Sequence, residues 1–344
     1  MNNNEDTRKL LNSPINIGNK ILKNRMILAP MAGINHLGFR KIISSFGGYG
    51  LLFTGMLNSK AVPTEKMENS KVLKFHKDEL SSLGAQIFGN DPEFMAKASK
   101  RLESEGFFCI DLNFGCCVSA ICNKEYGAAL LKKPELAEKI IENVKKAVSF
   151  PVFVKMRTGW TDDIENAVNL AKRFENSGAD AITFHPRTAP DKRSRPPKHK
   201  YTKIIKENVK IPVFANGNIF SLDDASEVLS LTHCDGVSLG RIAIAKPWIF
   251  ASWTQNKKFD YDIYEKTLRK VLDEYSFYFG DKYGKKLFIK FYSYFCANFK
   301  FGNEFSGIFE KKDKTIEEMK NEITMLFKKH PEISEKPNLN IFSK

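Results

Sequence analysis

The sequence contains no apolar run long enough to span a bilayer, and its first twenty residues, MNNNEDTRKLLNSPINIGNK, hold no hydrophobic core of a secretory signal. Neither a membrane protein nor an exported one is expected. Cysteines are few, at positions 109, 116, 117, 122, 234 and 296, with no C-x-x-C pair and no ordered framework. That scatter fits a reducing, cytoplasmic setting better than a disulfide scaffold, and no metal site is expected. No G-x-G-x-x-G follows a strand-like run and no G-x-x-x-x-G-K-[ST] occurs, so the usual signatures of adenine-dinucleotide and nucleoside-triphosphate sites are missing.

What is present is ample for folding. The 344 residues, 42% hydrophobic, can form one large domain and a small one. Lys plus Arg number 54 against 40 Asp plus Glu, a net charge of +14. Such an excess attracts polyanions, with nucleic acid the first candidate. The chain is also rich in Lys, Asn, Ile and Phe together, and an A/T-biased genome would produce that mixture without any binding role. A monomer is expected.

Read in order, short apolar runs alternate with amphipathic helices. Strand-like runs cover residues 25–30, 51–54, 83–88, 109–112, 152–156, 181–185, 213–217 and 236–240. Helical spacing marks residues 92–105, 134–148 and 163–177, with Gly178 as a stop, and Ser221 with Asp224 offers a capping box for the next helix. Eight buried strands alternating with helices predict an α/β fold, a (β/α)8 TIM barrel over residues 1–256 behind a short polar leader. A doubly wound sheet is the alternative. Residues 257–344 read as a C-terminal helical domain. Ile263, Thr267, Leu268, Val271, Leu272 and Tyr275 share one face, Gly280 and Gly284 read as breaks, and helices follow over 285–298 and 315–328. Lys282, Lys286 and Lys290 make a basic stripe beside a cluster of aromatic residues, a candidate RNA-binding face, although an aromatic core under a solvated lysine face accounts for the same pattern.

In a barrel, functional groups gather at the C-terminal ends of the strands. Met31 and Ala32, Gln86, Asn113 and Cys116, Lys155 and Arg157, His185 and Arg187, Asn216-Gly217-Asn218, and Gly240-Arg241 all fall there. The last two groups close strands seven and eight, where barrels commonly bind phosphate through backbone N–H groups, and one guanidinium suits a monophosphate. With a glutamine on strand three and a lysine on strand five, flavin mononucleotide (FMN) fits as the occupant. Cys116 follows Gly115 directly, so the turn presents a thiol. A core cysteine beside a glycine turn is the competing reading.

The motifs L28APMAG33, Q86IFG89, D111LNFGC116, K155MRTGW160, H185-x-R187-T188, A215NG217 and G240R241 before P247WIF250, in this order and spacing, resemble those of the tRNA-dihydrouridine synthase family. The resemblance implies an FMN-containing barrel with an appended helical domain, reducing the C5=C6 bond of particular uridines in tRNA with NADPH. It also implies that Pro30, Met31 and Ala32 line the flavin, that Gln86 and Lys155 bond its ring with His185 nearby, and that Asn216, Gly217, Asn218, Gly240 and Arg241 hold its phosphate. Cys116 takes the proton donor's place, Asn113, Arg157 and Arg187 contact the substrate, and Lys286 and Lys290 fall on the RNA-binding face. Cys117 stands where the family usually has proline, and the 189–200 loop is more basic than is usual. A flavin barrel acting on a small molecule such as dihydroorotate, a synthase acting on rRNA, and a basic RNA-binding protein without catalysis are the alternatives.

Overall fold

The computed structural model describes residues 3–310 and 314–343. Eight parallel strands form the barrel: β1 (Met26–Leu28), β2 (Leu52–Asn58), β3 (Leu83–Phe88), β4 (Cys109–Phe114), β5 (Val152–Gly159), β6 (Ala181–Thr188), β7 (Val213–Asn216) and β8 (Gly236–Leu239). Each neighbour pair is in sequence order, and β8 returns to β1 with Val237 opposite Met26. Closure between β1 and β2 comes from the Ile27–Leu51 bridge and from the Leu28 N–H donated to the Leu51 carbonyl at 2.9 Å. Because both faces of such strands are covered, they read as continuous apolar runs; every residue of β4 is buried. The intervening helices begin where capping side chains wait: Asp91 accepts from the N–H groups of Glu93 and Phe94, Asp163 from that of Asn166, and Ser221 with Asp224 forms the predicted box.

Three features differ from the sequence reading. The polar leader is ordered into a helix, Asn3–Leu11, and an antiparallel pair, Ile15–Ile17 with Lys20–Leu22. Ile17 and Leu22 of that pair pack with Phe53, Phe153 and Phe214, forming an apolar cluster separate from the main core. Strand β6 runs past His185 to Thr188, which puts Arg187 within the strand, where the pairing with β5 shifts register between His185 and Thr188. Gly284 interrupts nothing, because helix Asp281–Phe295 passes through it. A Cβ at Gly284 would come within 2.6 Å of the Tyr275 carbonyl oxygen, so glycine is what lets this helix pack tightly on helix Ile263–Phe279.

The helical region shares the barrel's main core. Helix Ile263–Phe279 lies on helix Leu37–Phe46, with the Tyr275 ring edge-on to His36 at 4.5 Å. Phe288, Phe291, Tyr292 and Phe295 are all buried in the same cluster, so these aromatics are core, while Lys282, Lys286 and Lys290 stay exposed. Among the described residues no helix is long and apolar enough to cross a membrane.

Candidate active site

Beyond the C-terminal ends of the strands lies a cavity of about 290 Å³. Pro30, Met31 and Ala32 after β1 line it, as do Lys155 of β5 and His185 of β6. Asn216, Gly217 and Asn218 from β7, with Gly240 and Arg241 after β8, complete the set predicted to hold a flavin, apart from Gln86. That side chain is 1% exposed and does not line the cavity.

A chain of hydrogen bonds sets the protonation of the cavity's polar groups. The Asn216 amide donates through Nδ2 to the Ser238 carbonyl at 2.8 Å, which orients its Oδ1 as an acceptor for Lys155 Nζ at 3.3 Å and His185 Nδ1 at 2.9 Å. His185 therefore carries its proton on Nδ1, and its Nε2 accepts from Arg187 Nη1 at 3.0 Å. Burial, reinforced by the charges of Arg157, Lys155 and Arg187, pushes its pKa well below the ordinary imidazole value, in keeping with a neutral ring. Arg187 and Arg241 each donate through Nη2 to Asn218 Oδ1, at 3.1 and 2.9 Å. Both guanidiniums are pushed down to about 10 by burial and by neighbouring arginines, and both remain charged at neutral pH. Burial and Arg157 likewise lower Lys155, against the opposing pull of Asp111. With Arg157, Arg193 and Lys290 also lining it, the cavity is strongly electropositive, and a bound anion would relieve that repulsion.

The thiol loop is held from one side by amides. Gln86 Nε2 donates to Asp111 Oδ2 at 2.6 Å, and Gln86 Oε1 accepts from Asn113 Nδ2 at 2.8 Å. Asn113 Oδ1 then accepts from the backbone N–H groups of Gly115 and Cys116, at 3.2 and 2.9 Å. From the other side, Arg157 Nε donates to the Gly115 carbonyl at 2.9 Å. The loop folds back where Ala128 N–H donates to the Cys116 carbonyl, also at 2.9 Å. Gly127 permits this, having φ of +63° and a position where a Cβ would lie 2.6 Å from that carbonyl oxygen. Cys116 is half-buried, and desolvation raises its thiol pKa despite Lys155 and Arg157 nearby. It lies outside the residues lining the cavity, although Arg157 touches both cavity and loop.

Among the expected substrate contacts, Asn113 and Arg157 are buried, and Asn113 Oδ1 and Arg157 Nε and Nη1 are engaged in holding loops. Arg157 Nη1 donates to the carbonyls of Thr188 and Lys192, each at 3.1 Å. Lys290 lines the cavity and donates to the Ala32 carbonyl at 3.2 Å, whereas Lys286 lies in a separate depression with Lys71 and Tyr283. Tyr294, Phe220 and Arg193 line the cavity without having been anticipated. Tyr294 was recoverable: it lies one helical turn beyond Lys290.

The family model of the dihydrouridine synthases (Dus) matches residues 27–329. The chain belongs to this family. A probable tRNA-dihydrouridine synthase of Rickettsia bellii is 37% identical over 300 residues, spanning 85% of this chain and 92% of the relative. The tRNA-dihydrouridine synthase B of Pseudomonas aeruginosa is 33% identical over 310 residues, covering 88% and 93%. As a dihydrouridine synthase family member, the chain is an oxidoreductase. Its barrel is similar to that of an old yellow enzyme homologue from Zymomonas mobilis, with a TM-score of 0.52 at 14% identity over 75% of this chain and 96% of that one. Morphinone reductase gives the same TM-score at 15% identity, covering 73% and 92%, and both likenesses concern the fold alone.

Proposed function

We propose that this chain reduces the C5=C6 bond of specific uridines in tRNA to dihydrouridine, holding FMN in the cavity and drawing electrons from NADPH. The observation that carries the reading is the pairing of an electropositive cavity at the strand ends with a half-buried thiol on the adjoining loop. The residues fit FMN. Arg241, Asn218, Gly217 and Gly240 suit its phosphate, Pro30, Met31 and Ala32 offer small and apolar contact, and Lys155 and His185 lie where a ring system would meet them. Gln86 would reach the ring only through the amide hydrogen or the Oε1 lone pair that its bonds to Asp111 and Asn113 leave over.

Bound there, FMN would supply hydride to one carbon of the uracil double bond. The other carbon needs a proton, which Cys116 holds. Its raised pKa keeps the thiol protonated at neutral pH, as a general acid requires, while Lys155 and Arg157 favour the thiolate left behind. Lys155 adds positive charge beside the ring. The base must leave its stack to reach this site, and the exposed amines of Lys286 and Lys290 offer phosphate contacts to the RNA around it.

The test is incubation of the purified chain with FMN, NADPH and unmodified tRNA, followed by mass-spectrometric mapping of dihydrouridine. A preparation that retains FMN and converts discrete uridines supports the reading. One that refuses FMN, or that reduces a small molecule while ignoring tRNA, overturns it; conversion of rRNA alone would redirect it.

A further inference from the structure

The family match ends at residue 329, yet the chain beyond it returns to the barrel. Ile333 bridges to Phe299, Ser334 N–H donates to the Asn298 carbonyl at 2.7 Å, and Asn338 N–H donates to that of Ala297 at 2.8 Å. This strap delivers Ile341 and Phe342 into the core, with Phe342 completely buried. At its end the Phe342 carbonyl accepts from Arg241 Nη1 at 2.8 Å. The Arg241 guanidinium carbon lies 5.6 Å from the centre of the Phe342 ring and 5.3 Å from that of Phe220, and the two rings are 5.2 Å apart. Tyr294, which lines the cavity, lies 6.4 Å from Phe342 on another side.

We propose that this strap, through Phe342, is a positioning element that orients the Arg241 guanidinium for a monophosphate in the cavity. The proposal rests on the reading that the cavity takes FMN. Arginine has several rotatable bonds, and a guanidinium free to swing binds phosphate at the cost of ordering it. Here Nη1 is held by the Phe342 carbonyl and Nη2 by Asn218 Oδ1, which fix the plane of the group at two points. The aromatic contacts shield it from water, and its remaining N–H donors are left for the ligand. Among the described residues no carboxylate forms an ion pair with Arg241; its acceptors are a carbonyl and an amide oxygen, neither of which neutralises its charge. A phosphate would.

The test compares binding of FMN with that of riboflavin, which has the same ring and no phosphate, by flavin fluorescence. The variants are Phe342→Ala, Phe342→Leu, which preserves an apolar side chain but loses the flat face, and a chain ending at Glu335. The expected result is FMN binding weakened by about tenfold in Phe342→Ala and in the shortened chain, with Phe342→Leu intermediate, while riboflavin binding is unchanged. In an Arg241→Gln background, Phe342→Ala should add little, because the group it positions is already gone. Equal weakening for both flavins, or full additivity with Arg241→Gln, would mean that the strap supports only the fold and would overturn the proposal. Unmodified protein that binds neither flavin would instead refute the FMN reading, so the two failures are told apart by the unmodified chain.

Discussion

Asn113 makes a demanding test of how the thiol is placed. Replacing it with alanine removes the acceptor shared by the Gly115 and Cys116 N–H groups, at 3.2 and 2.9 Å, and the donor to Gln86 Oε1 at 2.8 Å. Three hydrogen bonds are lost in a place where Asn113 is 5% exposed. At about 1 kcal/mol for each bond, and more for a buried group left without a partner, destabilisation should be roughly 2–4 kcal/mol. None of the cavity-lining residues is removed, so FMN should still bind. Placement of Cys116 should suffer, and a misplacement on the order of 1 Å at a reacting group costs up to about a hundredfold in rate. The assays are urea denaturation for stability, flavin fluorescence for binding, and single-turnover dihydrouridine formation for chemistry. The rate at which a thiol reagent labels Cys116 reports the loop directly and should rise. Asn113→Asp keeps the acceptor but cannot donate to Gln86, and it adds a charge near Asp111, so it should recover only part of the labelling protection. If Asn113→Ala left turnover and labelling unchanged, the amide chain from Asp111 to Cys116 would have no role in presenting the thiol.

Cys116→Ala should retain flavin and its reduction by NADPH while dihydrouridine formation falls by about a hundredfold or more, whereas Cys117→Ala or Cys117→Pro should be tolerated; single-turnover assays showing the reverse would exchange the two assignments. His36 is held neutral by burial, its pKa lowered to about 3, so its contribution to stability is complete above the unfolded value of about 6.5 and is lost as pH falls from there towards 3. Between pH 7 and pH 5 that loss should approach roughly 2 kcal/mol by denaturant titration, and His36→Gln should flatten the dependence; an identical slope in the variant would show that His36 is not its source. Removing residues 257–344 strips Lys290 and Tyr294 from the cavity and uncovers core contacts such as that of Phe291 with Phe39, so the remaining barrel should be poorly soluble and weak in FMN binding; a soluble barrel with unaltered FMN affinity would contradict this. Lys155→Met should slow reduction of the bound flavin, read by stopped-flow absorbance, with tRNA affinity unchanged in a filter-binding assay.

The barrel was readable from sequence because parallel strands covered on both faces leave unmistakable apolar runs, and because Asp163 and Ser221 mark helix starts by side-chain chemistry. Most cavity residues were readable too, since a barrel commits them to strand ends. The leader was not: strands of three residues, as in Ile15–Ile17, are too short for alternation to register. Gly284 misled, because a glycine that admits a neighbouring helix looks the same as one that ends its own. The engagements of Asn113 and Arg157 were invisible for a different reason: their partners include backbone carbonyls and N–H groups, which every residue carries. Phe342 is also a case in which the fold alone supplies the partner, across 101 residues from Arg241.

The apolar cluster that runs from Leu28 and Ile87 in the strands to Leu268, Phe291 and Phe342 in the helical region has no break in it. There is accordingly no slip plane on which one part could slide over the other without exposing core. The molecule works as a jig. The span between the exposed lysines of helix Asp281–Phe295 and the mouth of the cavity is settled at folding, so under the proposed function an RNA held on that helix would have to bring a base to the mouth by its own curvature and flexibility. Selection among bases would then fall to the shape of that RNA, measured against a gauge that does not adjust.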